Sequence, residues 1–254
     1  MTRAPALFIG HGSPMNAIQD TPESRGWREV ATRFPKPRAV LCVSAHWVTD
    51  GVRVLSAANP KTIHDFGGFP PALYAAQYPA PGDPALAQAI AERLAPFGAR
   101  TDDTWGLDHG AWSVLVHLYP QADVPVLQLS LDARRSPAQH YELGRALAPL
   151  RDENVLILGS GNTVHNLRFV RPGPVPPWVT AFDDRIADAI AAREDDTVVN
   201  YLSLPDAALA APDWDHFVPL LYVLGASAGE KAAMFNRTYI PGLAMTSNAF
   251  GLAA

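Results

Sequence analysis

Histidines that follow apolar segments are the side chains in this sequence best suited to chemistry. Of the eight histidines, His11, His46 and His165 lie just after runs of aliphatic residues that have the length of buried β-strands. Imidazole is the commonest protein metal ligand, and it also transfers protons near neutral pH. The carboxyl ends of strands in an open α/β sheet converge on a crevice where ligands bind. These positions therefore predict a metal site or an acid–base site at that edge.

Spacing alone leaves a structural interpretation open, because a single histidine is more often hydrogen-bonded within the fold than bound to a metal. The sequence contains neither His-Glu-x-x-His nor Cys-x-x-Cys. His109 begins a predicted helix, and Asp108 before it is best explained as the N-cap. His64 lies in a loop of glycine and aromatic residues that can form a pocket wall. We interpret His117 and His140, inside predicted helices, as packing or surface residues.

Two serines stand next to glycines in segments that suggest other chemistry. Gly10-His11-Gly12-Ser13 resembles an oxyanion-hole loop, and Gly159-Ser160-Gly161 places a serine on a tight turn. A nucleophile elbow needs Gly-x-Ser-x-Gly, whereas the glycines here adjoin the serine directly. A dinucleotide fingerprint needs a third glycine. The sequence therefore does not favour a serine hydrolase or a dinucleotide enzyme.

The elements that must position these side chains alternate along the chain. Strands are predicted at residues 6–9, 39–43, 52–55, 124–129 and 155–158. Helices are predicted at about 84–94, 110–119, 137–150, 177–192 and 216–224, the last beginning at His216. The strand runs do not alternate between polar and apolar residues, which is typical of strands covered on both faces. We therefore predict an α/β fold, a three-layer αβα sandwich with a central, mostly parallel sheet, in one domain over residues 1–254.

Composition limits the possible classes of protein. The 254 residues are 48% hydrophobic and 18% charged, with a net charge of -5, which excludes a disordered chain and makes nucleic acid or an anionic membrane a poor partner. A chain of this length buries a full core without metal, so a metal would serve chemistry. The single cysteine, Cys42, is predicted to be a buried hydrophobe. With no signal-peptide pattern and no apolar run of roughly 18 residues, we expect a cytoplasmic protein.

Six longer motifs occur in a fixed order over nearly the whole chain. They are FIGHGSPM (8–15), SAHW (44–47), IHDFGGFP (63–70), WGLDHGAW (105–112), GSGNTVHNL (159–167) and DHFVPL (215–220). Together they resemble the extradiol ring-cleavage dioxygenases of the class III, LigB-like group, and most nearly its DOPA 4,5-dioxygenase branch. The resemblance implies one α/β domain that holds a single non-haem metal and opens a catechol ring next to the diol with O₂.

The resemblance also implies roles for individual histidines. Position by position, it makes His11, His46 and His216 the metal ligands. It makes His165 a neighbour of the metal that acts as acid and base and can complete a zinc shell. His109 matches a histidine that faces the substrate. An open metal position for substrate and oxygen agrees with three protein ligands better than with four.

The expected substrate is a small aromatic diol of the DOPA type, used together with O₂. His64, Trp47 and Phe66 are predicted to contact its planar ring, and Phe69 and Trp105 are further aromatic residues in the same motifs. Aromatic side chains are also common as loop anchors, and that interpretation stays open. We expect a monomer or a homodimer.

The ligand set departs from the two histidines and one carboxylate that are typical of non-haem iron oxygenases. The resemblance makes His216 the third ligand, with Asp213 and Asp215 close by in sequence. Three neutral imidazoles suit zinc at least as well as iron, so we expect purified protein to carry Zn²⁺, with Fe²⁺ possible for ring cleavage. The alternatives are a metal-binding protein of the same fold without turnover, and a zinc-dependent hydrolase.

Overall fold

A sheet of eight strands crosses the described part of the chain, residues 3–252, in a computed structural model. The strands in chain order are β1 (Ala6–Gly10), β2 (Ala39–Thr49), β3 (Arg53–Leu55), β4 (Arg100–Asp102), β5 (Val126–Asp132), β6 (Val155–Gly161), β7 (Ala232–Phe235), β8 (Tyr239–Ile240), β9 (Leu243–Ala244) and β10 (Ser247–Phe250). The sheet order is β4-β3-β5-β2-β6-β1-β10-β7, and β8 and β9 form a separate hairpin. Residues 1–2 and 253–254 of the predicted domain lie outside the described residues.

The centre of the sheet is parallel, as predicted. β2 pairs in parallel with β5 on one side and β6 on the other, and β6 continues in parallel to β1. Antiparallel pairs occur towards the edges, where β10 joins β1 to β7 and β3 joins β5. The carboxyl ends of the four central strands therefore lie along one edge of the sheet.

Helices cover both faces. They are α1 (Pro22–Ala31), α2 (Pro71–Tyr74), α3 (Pro84–Arg93), α4 (His109–Leu118), α5 (Pro137–Asp152), α6 (Pro177–Ala192), α7 (Asp195–Val199), α8 (Ala207–Ala210) and α9 (Val218–Ala226). All five predicted helices are present, and Asp108 caps α4 by accepting the Ala111 N–H at 3.2 Å. α1, β4, β7 and β10 are not among the predicted elements. No helix in residues 3–252 is long and apolar enough to cross a membrane.

Alternate side chains of each central strand enter different layers. Leu7 and Ile9 of β1 pack with α1 and α4, whereas Phe8 packs on the opposite face with α5, α6 and α9. Cys42 is fully buried in the α1–α4 layer, as predicted. Burial on both faces explains why the strand sequences are mostly apolar and do not alternate with polar residues.

β2 is longer than predicted, and this corrects the position of one histidine. The strand runs to Thr49, so His46 lies inside it rather than past its end. The pairing with β5 shifts register between Val43 and Val48, which marks a bulge around His46. A bulge bends a strand locally and re-aims a side chain, and this is how a residue within the sheet faces the crevice.

His140 gives the fold a pH-dependent stability. Burial, with a smaller effect of nearby Arg135, lowers the pKa of His140 from 6.5 to about 4, and its Nδ1 lies 2.9 Å from the Tyr222 hydroxyl. Below pH 6.5 the unfolded chain takes up a proton that the folded state does not accept until about pH 4. We expect this residue to remove about 3 kcal/mol of unfolding free energy across that window.

Urea unfolding of the parent and of His140→Gln, measured between about pH 7 and about pH 4, tests this prediction. Glutamine can keep the contact with Tyr222 but does not titrate. The variant should lose less stability on acidification than the parent. Equal losses in the two proteins would contradict the prediction.

Candidate functional site

Histidines from separate elements converge at the carboxyl edge of the central strands. His11 follows β1, His46 lies at the bulge of β2, and His216 lies two residues before α9. Their ring centroids are 5.0 Å apart for His11 and His46, 5.3 Å for His11 and His216, and 4.9 Å for His46 and His216. The three predicted metal ligands are therefore neighbours, although 35 residues or more separate them in sequence.

Ser160 supports His11 and does not act as a nucleophile in this arrangement. Its hydroxyl donates to the Gly110 carbonyl oxygen at 2.5 Å, and its Oγ lies 3.1 Å from His11 Nδ1. With its hydrogen already used, Ser160 Oγ accepts from Nδ1–H of His11. The lone pair of His11 is then on Nε2, which faces the other histidines.

Carboxylates stand behind the other two rings. Asp215 Oδ1 lies 2.9 Å from His216 Nδ1, and Asp65 Oδ2 lies 3.6 Å from His46 Nδ1. The Asp215 contact is a hydrogen bond, which fixes the tautomer of His216 and leaves its Nε2 for the crevice. The Asp65 contact with His46 is too long for a hydrogen bond, and His46 Nε2 is the nitrogen that faces His11.

Electrostatics keep these imidazoles neutral. Burial, reinforced by neighbouring histidines, lowers the pKa of His11 and His216 well below 6.5, and burial together with His109 lowers the pKa of His46. A neutral imidazole has the free lone pair that a metal ligand requires. The cluster is thus in its metal-binding form at neutral pH.

The spacing of the nitrogens fits a shared cation. His11 Nε2 and His46 Nε2 are 3.1 Å apart. Two nitrogens that each lie about 2.0–2.1 Å from one zinc ion would be separated by about that distance. His216 Nε2 is buried and has no hydrogen-bond partner among the described residues, which is costly for a polar atom unless something binds it.

His109 is the alternative third ligand. Three potential ligand atoms, one each from His11, His46 and His109, lie within 4.8 Å of one another. The ring centroid of His109 is 3.9 Å from that of His46. Asp65 contacts both the ring nitrogen and the backbone N–H of His109, as Asp215 does for His216. Burial alone would raise the pKa of Asp65, but the hydrogen bonds from His109 outweigh it, and the pKa lies below its usual value.

His165 lies directly against the cluster. Its ring stacks on that of His216 with centroids 3.4 Å apart and planes 4° from parallel. The loop after β6 carries it, and its backbone N–H donates to the Ala210 carbonyl oxygen at 2.7 Å. Burial lowers the pKa of His165 to about 4, so the ring is neutral at pH 7.

The cluster forms the floor of a cavity of about 410 Å³, in the size range of small-molecule sites. The cavity is also lined by a set of apolar side chains from three regions: Phe66, Phe69, Leu167, Val170, Ile240 and Leu243. The last two belong to the β8–β9 hairpin, which the sequence does not predict. A histidine floor and apolar walls suit a planar molecule that carries polar groups at one end.

Two of the three predicted substrate contacts do not lie on the cavity wall. Phe66 lines the cavity, but His64 packs behind it, with Nε2 3.0 Å from the Ala76 carbonyl oxygen. Trp47 is buried and stacks on Trp105 at 5.9 Å between ring centroids. Trp47 follows His46 in β2, and successive side chains of a strand face opposite ways.

Gly161 is required for the position of His216. A Cβ at residue 161 would lie 2.1 Å from the His216 carbonyl oxygen, and the Asn162 N–H donates to that same oxygen at 2.8 Å. We expect Gly161→Ala to push His216 away and weaken metal binding by roughly 10–100-fold, the effect of disturbing a ligand's support.

Gly67→Ala is the matched control, because a Cβ there meets no heavy atom of the described residues within 4 Å. Zinc affinity measured by competition with a chromogenic chelator would test both variants. If Gly161→Ala bound zinc as tightly as the parent, the close packing of residue 161 against the His216 carbonyl oxygen would not control metal affinity.

Comparison with known proteins gives a consistent result. Residues 5–250 match the family described as the catalytic LigB subunit of aromatic ring-opening dioxygenase. A 4,5-DOPA dioxygenase extradiol from Escherichia coli K12 is 48% identical over 91% of this chain and 88% of its own length. A protein of the same name from Beta vulgaris is 43% identical over 93% of this chain and 92% of its own.

A solved structure has the same fold. The crystal structure of an uncharacterised protein from Escherichia coli K12 superposes with a TM-score of 0.85 at 41% identity, over 97% of this chain and 99% of that one.

Proposed function

The chain belongs to the LigB family of aromatic ring-opening dioxygenases, and we propose that its substrate is a catechol of the DOPA type, opened next to the diol by both atoms of O₂. The observation that carries this proposal is the set of neutral histidines on the floor of an apolar cavity. The cavity volume of about 410 Å³ accommodates one substituted ring. Relatives named as 4,5-DOPA dioxygenases support the substrate class.

We propose His11, His46 and His216 as the protein ligands of one divalent metal. The support is the 3.1 Å separation of the Nε2 atoms of His11 and His46, and the Nε2 of His216, which no described residue hydrogen-bonds. When bound, the metal would lower the cost of removing a catechol proton and would supply an open position for oxygen. Zn²⁺ is the metal expected on purification, and Fe²⁺ is the metal expected to support ring opening.

The chain's own side chains have distinct roles in this proposal. His165 is the acid–base group, because it is neutral at pH 7 and stacks on His216 next to the reacting end of the cavity. His109 faces the substrate from the start of α4. Phe66 and Phe69 hold the ring and exclude water from it.

Oxygen uptake tests the function directly. Metal is removed from the protein, Fe²⁺ is restored without air, and a panel of catechols is added in an oxygen electrode. We expect uptake of one O₂ per catechol, a yellow product, and no uptake with a monophenol. If iron-loaded protein consumed no oxygen with any catechol, the proposal would fail. Membership of the family does not favour the alternatives of a non-catalytic metal protein or a zinc hydrolase.

A further inference from the structure

Asp65 holds His109 at two points. The Asp65 side chain comes from the loop between β3 and α2, lines the cavity, and is 17% exposed. Its Oδ1 accepts the backbone N–H of His109 at 2.8 Å, and its Oδ2 lies 2.9 Å from His109 Nδ1. Two contacts with one residue fix both the first turn of α4 and the plane of the ring.

The carboxylate also determines which ring nitrogen carries the proton. An ionised carboxylate has only acceptor atoms, so His109 Nδ1 must donate. A neutral imidazole has one N–H and one lone pair, which leaves the lone pair on Nε2. Since Asp65 occupies Nδ1, Nε2 is the nitrogen of His109 available to a molecule in the cavity.

We propose that Asp65 is a positioning residue that holds His109 as a hydrogen-bond acceptor for a hydroxyl group of the bound substrate. This inference rests on the proposed function. It adds a specificity rule: the substrate atom that faces His109 must carry a hydrogen to donate. A catechol meets that rule with either hydroxyl, whereas a methyl ether at that position does not.

His216 has the same kind of support from Asp215, whereas His165 has none of it among the described residues. Its ring stacks on His216, and in residues 3–252 no carboxylate forms an ion pair with it. Of the two histidines with a proposed role towards the substrate, only His109 therefore has an orienting acid. Asp65 also lies 3.6 Å from His46 Nδ1, so its effect on the metal must be measured separately.

Asp65→Asn keeps the shape of the side chain and changes its hydrogen-bonding groups. Asparagine is nearly isosteric with aspartate but has one donor group and one acceptor atom. If the amide oxygen accepts the backbone N–H of His109, the NH₂ group faces Nδ1. The ring can then pair with it only by accepting, which moves its proton to Nε2. The substrate hydroxyl would meet a donor in place of an acceptor.

Two measurements test the inference. Long-range ¹H–¹⁵N spectra of zinc-loaded protein should show His109 protonated on Nδ1 in the parent and on Nε2 in Asp65→Asn, with His109→Gln identifying the signals. In iron-loaded protein, kcat for a catechol should fall roughly 100-fold in Asp65→Asn, with KM changed by less than about threefold and metal content unchanged. Asp103→Asn, which removes an exposed carboxylate, should behave like the parent.

Each outcome is decisive. An Nδ1–H signal in Asp65→Asn together with a parental kcat would overturn the inference, and so would loss of metal, since Asp65 would then act through His46. Failure of the proposed function would differ from failure of this inference. In that case the parent protein itself would consume no oxygen, whereas the tautomer of His109 could still be measured. A parental kcat for a substrate methylated on the hydroxyl that faces His109 would overturn the specificity rule.

Discussion

His216→Ala is expected to lose metal binding and, with it, all oxygenase activity. The variant removes one of three proposed ligands, and it is the one whose buried Nε2 has no hydrogen-bond partner in residues 3–252. Loss of a supporting contact alone weakens metal sites by roughly 10–100-fold, so loss of a ligand should weaken this one by at least about 100-fold. Elemental analysis after dialysis, followed by oxygen uptake, gives both quantities.

His109→Ala is the decisive control for the choice of ligands. Its ring is as close to His46 as a ligand would be, but we propose that it faces the substrate. His109→Ala should therefore keep stoichiometric zinc while its activity falls. The reverse result, zinc lost from His109→Ala and kept by His216→Ala, would assign the metal to His11, His46 and His109.

The second large effect is expected at His165. His165→Ala should retain metal while kcat falls roughly 10²–10⁴-fold, the usual contribution of a general acid–base group. The ring stacks on His216 at 3.4 Å and is not needed to orient it, because Asp215 contacts His216 Nδ1.

Single-turnover kinetics with iron-loaded protein would show whether the chemical step is the one that slows. His64→Ala is a matched control because that histidine lies behind the wall formed by Phe66. If His165→Ala purified without metal, His165 would be a fourth ligand and its proposed acid–base role would be wrong.

Much of the fold follows from sequence because its central strands are buried on both faces. The runs that begin β1 and β6 are continuously apolar, and two of the predicted helices begin with clear caps, Asp83 and Ser136. These signals are local, so they can be recognised without knowing the tertiary structure.

The elements that the sequence does not predict have weak or misleading local signals. β10 and β7 are short, and residues 247–250 contain serine, asparagine and alanine, which do not favour strands by themselves. Pairing provides the hydrogen bonds that stabilise them, with β10 paired to β1 and β7 paired to β10. α1 did carry a signal, because Thr21 and Pro22 form a capped helix start. The extension of β2 was also visible in Val48 and Thr49, whose side chains favour strands.

The histidines of the site were predictable, but their supports were not. Asp65 lies 44 residues from His109, and Ser160 lies 149 residues from His11. No spacing rule connects such residues, because the sheet order brings them together. Asp215 is adjacent to His216 and could be noticed, but only coordinates place its carboxylate on Nδ1.

Anomalous diffraction at the zinc edge from crystals of zinc-loaded protein would test the metal centre most directly. One peak is predicted, with Nε2 of His11, His46 and His216 each about 2.0–2.1 Å away and a side of the ion open to the cavity. A peak that His216 does not reach, or no peak among these rings, would contradict the proposed centre.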